Sequence, residues 1–186
     1  MILKYILLAF LNYGPLTGYH LKRLIDQSIA NFWYAELSQI YTTLKKLEAD
    51  GLITSQVEPQ ADRPDRRIYT ITDAGREDLQ KWLREPLLEA SPVKEPLLVK
   101  LFFSSSLPKQ NLMTQLTLQK ELHQQKLTYY RTVIPTEMQG KASMLSASPN
   151  DMLLWEATRR AGELYEEMYI RWLDEIIAQI EHQYQE

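Results

Sequence analysis

The chain has 186 residues, 45% hydrophobic and 24% charged, and no cysteine. That composition suits one large globular domain or two small ones and excludes disulfide staples and cysteine-held zinc or iron–sulfur centres. The net charge is −3, so any affinity for nucleic acid has to come from local clusters of basic side chains.

The apolar opening Ile2–Leu11, interrupted by Lys4, is too short to span a bilayer, which takes about 20 apolar residues. It has no small-residue cleavage site, so Met1–Leu11 reads as a mostly buried helix of a cytoplasmic protein, closed by Gly14-Pro15. Thr17 is a suitable N-cap for a second helix to about Ser28, with Tyr19, Leu21, Leu24 and Ile25 as its apolar set. After an aromatic connector, Asn31–Glu36, a third helix is predicted over Leu37–Asp50. Its apolar positions Leu37, Ile40, Leu44 and Leu47 recur every three or four residues, and Gly51 is its stop signal.

Leu52–Glu58 and Arg66–Ile71 are rich in Ile, Val, Thr and Tyr, with a polar stretch between them, and predict a two-stranded hairpin. Thr72 caps a fourth helix from Asp73 to about Glu85, ended by Pro86. Pro86, Pro92 and Pro96 mark a domain boundary, giving domains 1–86 and 87–186. Beyond it we predict a short apolar segment, Val93–Ser104, and a long helix, Lys109–Ile134. A connector, Pro135–Asn150, leads to a second long helix, Asp151–Tyr184.

Three helices, two strands and a helix is the order of a winged helix-turn-helix, and a helix fits the major groove. The fold class is therefore mainly α: an N-terminal winged helix with a two-stranded wing, then an all-helical C-terminal domain. On the third helix Ser38, Gln39, Thr42, Lys45 and Lys46 face away from the apolar stripe. Gln is suited to a bidentate pair with adenine, Ser and Thr to several base edges, and Lys to phosphate. Tyr41, between the faces, either packs or donates to a phosphate. Arg63, Arg66 and Arg67 cluster at the wing tip, diluted by Asp62 and Asp65.

The last helix would be about 50 Å long at 1.5 Å per residue, longer than a small domain can cover. Its stripe, Leu154, Ala161, Leu164, Tyr165, Met168, Trp172, Ile176 and Ile180, is a candidate dimerisation surface; an intrachain hairpin with Lys109–Ile134 is the alternative. Trp33, Tyr34, Trp155, Tyr165 and Trp172 are either core or the lining of a ligand pocket. No catalytic, cofactor or metal motif is found. His20, His123 and His182 lack ligand spacing, and pairs such as Glu166-Glu167 read as solvated helix faces.

Taken in order, Ile6–Leu11, Gly14–Leu21, Phe32-Trp33, Ser38–Tyr41, Leu44–Glu48, Gly51–Ile53, Arg67–Thr72 and Gly75 resemble the PadR family of transcription regulators. The segment from about 92 to 184 resembles the longer branch, with a virulence-activator-like helical C-terminal domain. The resemblance implies a homodimer that binds an inverted-repeat operator on double-stranded DNA, usually as a repressor, and in some members a small aromatic or drug-like effector that releases it. It also implies DNA contacts from Tyr19 and Lys22 on the second helix, beside Ser38, Gln39, Tyr41, Thr42, Lys45 and the wing arginines. Two departures stand out: His20 where the family often has Glu, and Glu36-Leu37 where it often has Pro or Gly. A winged-helix protein-interaction module without DNA binding is the competing reading.

Overall fold

A computed structural model describes residues 2–30, 32–59, 65–90 and 94–185. It divides into two compact units. One comprises Met1–Leu88 with Lys141–Ala147, the other Glu89–Gly140 with Ser148–Glu186.

The first unit opens with α1, Ile2–Tyr13, which buries Leu3, Leu7, Leu8 and Leu11 along one side. A short strand β1, Leu16–Thr17, leads into α2, Gly18–Ser28, where the Thr17 hydroxyl accepts the His20 N–H at 3.2 Å. Helix α3 spans Leu37–Ala49. Gly51, at φ +72°, stops it: the Gly51 N–H reaches the Glu48 carbonyl at 3.0 Å and the Leu52 N–H the Leu47 carbonyl at 2.9 Å. These two bonds satisfy carbonyls the helix end would otherwise leave orphaned, in a left-handed position that favours glycine.

Strands β2, Ile53–Glu58, and β3, Arg66–Ile71, pair antiparallel with Ser55 opposite Tyr69. β1 pairs antiparallel on the other side of β3, so the sheet has three strands in the order β1-β3-β2. The third strand exceeds the two-stranded expectation because two residues are too few to show an alternating pattern. Thr72 caps α4, Asp73–Arg84, its hydroxyl accepting the Gly75 N–H at 3.1 Å. A Cβ on Gly75 would lie 2.1 Å from the Leu52 carbonyl oxygen; glycine is what lets α4 approach the strand. Tyr5 and Trp82 stack at 4.5 Å across α1 and α4.

Buried Leu and Ile side chains of α1, α2, α3, β2 and β3 form one apolar core with Leu79 of α4. Three expected members are not in it: Leu24 is buried apart from this cluster, and two more stand towards solvent. Tyr19 is exposed, and Leu37, at the first position of α3, lies largely outside. Both sit at helix starts, where the apolar stripe has not yet rotated onto the neighbouring helices.

In the second unit α5 spans Pro96–Phe102, α6 Lys109–Thr132 and α8 Pro149–Gln183. Residues 135–150, expected as a connector, largely form a helix, α7, Ile134–Leu145, whose last residues group with the first unit. Pro135 falls in its first turn, where a missing N–H costs nothing, whereas the same proline ends the hydrogen-bond ladder of α6. α8 begins two residues earlier than the expected Asp151 because Ser148 and Asp151 form a reciprocal cap. The Ser148 N–H donates to Asp151 Oδ2 at 2.8 Å and the Asp151 N–H to Ser148 Oγ at 3.2 Å.

The apolar core of this unit is small: Leu97, Leu116, Tyr169 and Leu173, flanked by half-buried Leu101, Trp172, Ile176, Ile177 and Ile180. Further along the α6–α8 contact Tyr130 packs against Gly162, and the other buried side chains are polar. The His123 ring stacks on Tyr169 at 3.9 Å and its Nδ1 is hydrogen-bonded to Glu166. Glu166 is therefore buried, not on a solvated face as its acidic neighbour suggested; the paired histidine on α6 compensates the cost of removing its carboxylate from water. Glu163, also buried, accepts from Arg131 at 2.9 Å and Arg159 at 2.8 Å. These arginines, Arg131 first, with Arg160, pull its carboxyl down from 4.5 to about 2. No helix among the described residues is long and apolar enough to cross a membrane.

Candidate nucleic-acid interface

Helix α3 exposes Ser38, Gln39, Tyr41, Thr42, Lys45 and Lys46 on the side opposite Ile40, Leu44 and Leu47. This division follows from the helical period and needs no further cause. The Thr42 hydroxyl donates to the Ser38 carbonyl at 2.8 Å, which orients the side chain on the outer face.

Two contacts join this face to its neighbours. The Tyr41 ring lies against Gly18, where an added Cβ would come within 2.5 Å of it. The exposed part of Tyr41 thus adjoins the start of α2 and the exposed Tyr19. At the other end Arg67 of the wing donates through Nε to Ser55 Oγ at 2.7 Å and through Nη2 to Glu48 Oε2 at 2.7 Å. Ser55 donates to Glu48 Oε1 at 2.5 Å. The Ser55 hydroxyl, then the Arg67 guanidinium, hold the Glu48 carboxyl below its ordinary range. This clamp ties the hairpin to the end of α3, so the start of α2, the outer face of α3 and the base of the wing form one surface.

The expected contact residues differ in availability on that surface. Tyr19, Ser38, Tyr41, Thr42, Lys45 and Arg66 are exposed. Lys22 is half-buried, ion-paired with Asp26 and set over the Tyr34 ring at 5.0 Å. Asp26, first through its hydrogen bond, raises the Lys22 ammonium above its ordinary range. Arg67 spends its guanidinium on the clamp. Gln39 is exposed, yet its Oε1 accepts the Glu36 N–H at 3.0 Å, while the Tyr34 hydroxyl donates to the Glu36 carboxylate at 2.8 Å. Arg63 and Asp62 lie outside the described residues. Sequence reasoning missed the role of Glu48, which reads as an ordinary acidic helix residue; only its register opposite Ser55 and Arg67 reveals it.

On α8 the expected self-association stripe splits. Leu154, Ala161, Leu164, Tyr165 and Met168 are exposed in the single chain. Trp172, Ile176 and Ile180 are half-buried against their own unit's core. With Ala157 the exposed part repeats at Leu154, Ala157, Ala161, Leu164 and Met168, alternating steps of three and four that define a straight seam for a second helix. α6 exposes Leu118 and Leu122, and the end of α5 exposes Phe102 and Phe103. Of the aromatic set, Trp33 and Tyr34 lie in the first unit and Trp155, Tyr165 and Trp172 in the second. Among the described residues no group of three or more His, Asp or Glu is placed to hold a metal ion.

A family described as the transcriptional regulator PadR-like family matches residues 7–81, and one described as virulence activator alpha C-term matches 93–181. The negative transcriptional regulator PadR of Bacillus subtilis is 32% identical over 185 residues, covering 97% of this chain and 98% of that protein. A crystal structure of Bacillus subtilis PadR with operator DNA has a TM-score of 0.80 at 31% identity, covering 97% of this chain and 99% of the other. A structure of the same protein with p-coumaric acid has a TM-score of 0.76 at 30% identity, covering 98% and 100%.

Proposed function

The chain belongs to the PadR-like family of transcriptional regulators, and on that premise we propose that it is a cytoplasmic, homodimeric repressor that reads an inverted-repeat DNA operator. The observation that carries this is the continuous outer surface of α2, α3 and the wing, polar and aromatic where the opposite face of α3 is wholly apolar. The relative's complex with operator DNA supports it. Tyr19, Ser38, Gln39, Tyr41, Thr42 and Lys45 are the groove-facing set, with Arg63 and Arg66 on flanking phosphates. Lys22 joins them on exchanging Asp26 for a phosphate, and Arg67 positions the wing.

Residues 1–86 form the DNA-binding domain and 87–186 the dimerisation domain. One winged helix reads few base pairs, and two related by a two-fold axis read half-sites about one helical turn apart. The exposed Leu154–Met168 seam supplies the contact between copies, with Trp172, Ile176 and Ile180 at its base. A small aromatic acid acts as effector; the relative's p-coumaric acid complex supports that class. No catalytic residue is assigned.

A gel shift with the DNA upstream of its own gene, at several salt concentrations, tests the reading. Affinity should fall steeply with salt as phosphate contacts release counterions. Arg66→Ala should weaken all sequences alike and reduce the salt slope by about one. Absent or salt-insensitive binding would instead support a protein-interaction module, the reading that acidic Glu36 and Asp65 beside this surface favour.

A further inference from the structure

A glutamine that pairs with adenine uses both halves of its amide, the oxygen accepting from N6 and the NH2 donating to N7. In this chain one of the oxygen's two lone pairs is taken, and that bond sets which way the amide faces. The Glu36 N–H is among the donors at the start of α3 that the helix itself leaves unpaired, and Gln39 Oε1 accepts it at 3.0 Å. A backbone N–H only donates, so the oxygen of the Gln39 amide must face it and the NH2 must point away. The Glu36 carboxylate takes the Tyr34 hydroxyl at 2.8 Å, and Tyr34 in turn carries Lys22 over its ring at 5.0 Å. The residue that supplies the N–H is thereby anchored on its own side chain. Turning Gln39 to offer its oxygen to a base would exchange one hydrogen bond for another and strand the Glu36 donor, which removes the net gain.

We propose that Gln39 is a donor-only base reader, locked by the Glu36 backbone N–H, and that it selects base edges rich in acceptors, guanine O6 and N7 or thymine O4, over the donor–acceptor edge of adenine. This rests on the DNA-binding reading above. It makes Glu36 a positioning residue for specificity through its main chain, while its carboxylate, beside the DNA surface, weakens binding to every sequence.

Selection of duplexes from a random library by the full-length protein, repeated with variants, tests the proposal. The Gln39→Glu variant keeps an acceptor for the Glu36 N–H and loses the outward donor. The base pair whose preference disappears in it identifies the Gln39 contact. The expected pair is G·C, or an A·T pair at which replacing adenine by purine, which lacks the 6-amino group, changes affinity less than about twofold. Glu36→Pro deletes the N–H, and the observed φ of −72° already suits proline. It should shift that position toward adenine by about tenfold, whereas Glu36→Gln should tighten binding and leave the preference unchanged.

An A·T pair at which loss of the 6-amino group costs about tenfold would overturn the proposal. So would a Gln39→Glu variant that alters no preference, or a folded Glu36→Pro variant with the wild-type preference. Should Glu36→Pro not fold by circular dichroism, Gln39→Glu and the base replacement still decide. A wild-type protein that enriches no sequence removes the DNA-binding reading, and the proposal with it.

Discussion

The two units bury opposite kinds of side chain. Between the helices of the winged unit stand Leu7, Leu11, Leu21, Ile40 and Leu44, all essentially without solvent contact. Along much of the α6–α8 contact stand His123, Glu163, Glu166 and the arginines, while Leu154, Leu164 and Met168 of α8 face outward. Apolar burial stabilises in proportion to area, and the first unit has the larger apolar cluster. Buried ion pairs offset much of their gain by desolvation, and what they fix is register. The second unit is thus aligned from within, and the apolar side chains that α8 turns outward are the ones the proposed dimer would cover.

The comparison can be strained at its apolar end first. Leu44→Ala, in the middle of α3, should lower the unfolding free energy of the winged unit by about 3 kcal/mol, read by urea denaturation. A loss below about 1 kcal/mol would mean that this core is not what holds the unit.

Next comes the outward seam. Met168→Glu should dissociate the homodimer, seen by light scattering, and lower operator affinity by about a hundredfold, roughly 2.7 kcal/mol. Folding of the separate units should be nearly unchanged because Met168 is exposed in the single chain. A Met168→Glu protein that remains dimeric would place the self-association surface elsewhere.

The smallest effect belongs to the polar seam. Glu163 is held down to about 2 from 4.5 by Arg131, Arg160 and Arg159. A depressed carboxyl contributes stability that is complete above its unfolded value and is lost as pH falls from about 4.5 toward 2. Arg131 and Arg160 are half exposed, and solvent screening reduces the contribution to about 1–2 kcal/mol. Glu163→Gln should lower stability by that amount at neutral pH and flatten the acid limb of the profile. An unchanged acid limb would mean that the arginine cluster is a surface feature only.

The order of elements in the winged unit was legible because its signals are local. Thr17 and Thr72 cap the helices that follow them, Gly51 stops α3, and the 3.6-residue period separates Ile40, Leu44 and Leu47 from the polar face of the same helix. Each depends on residues within four positions along the chain, and sequence order alone is enough to read it. The same holds for the outward positions of α8 from Leu154 to Met168.

What tertiary structure decided involves partners distant in sequence or carried by the backbone. Arg67 looked like a free wing cation until β2 and β3 set it beside Ser55 and the end of α3 brought Glu48 to it. Glu166 looked solvated until α6 laid His123 over it. Gln39, with the right composition for adenine, turned out to hold its oxygen on a main-chain donor that no residue type announces. Side-chain identity determines which hydrogen bonds and charges are available, and only the packed backbone determines which of them are already spent.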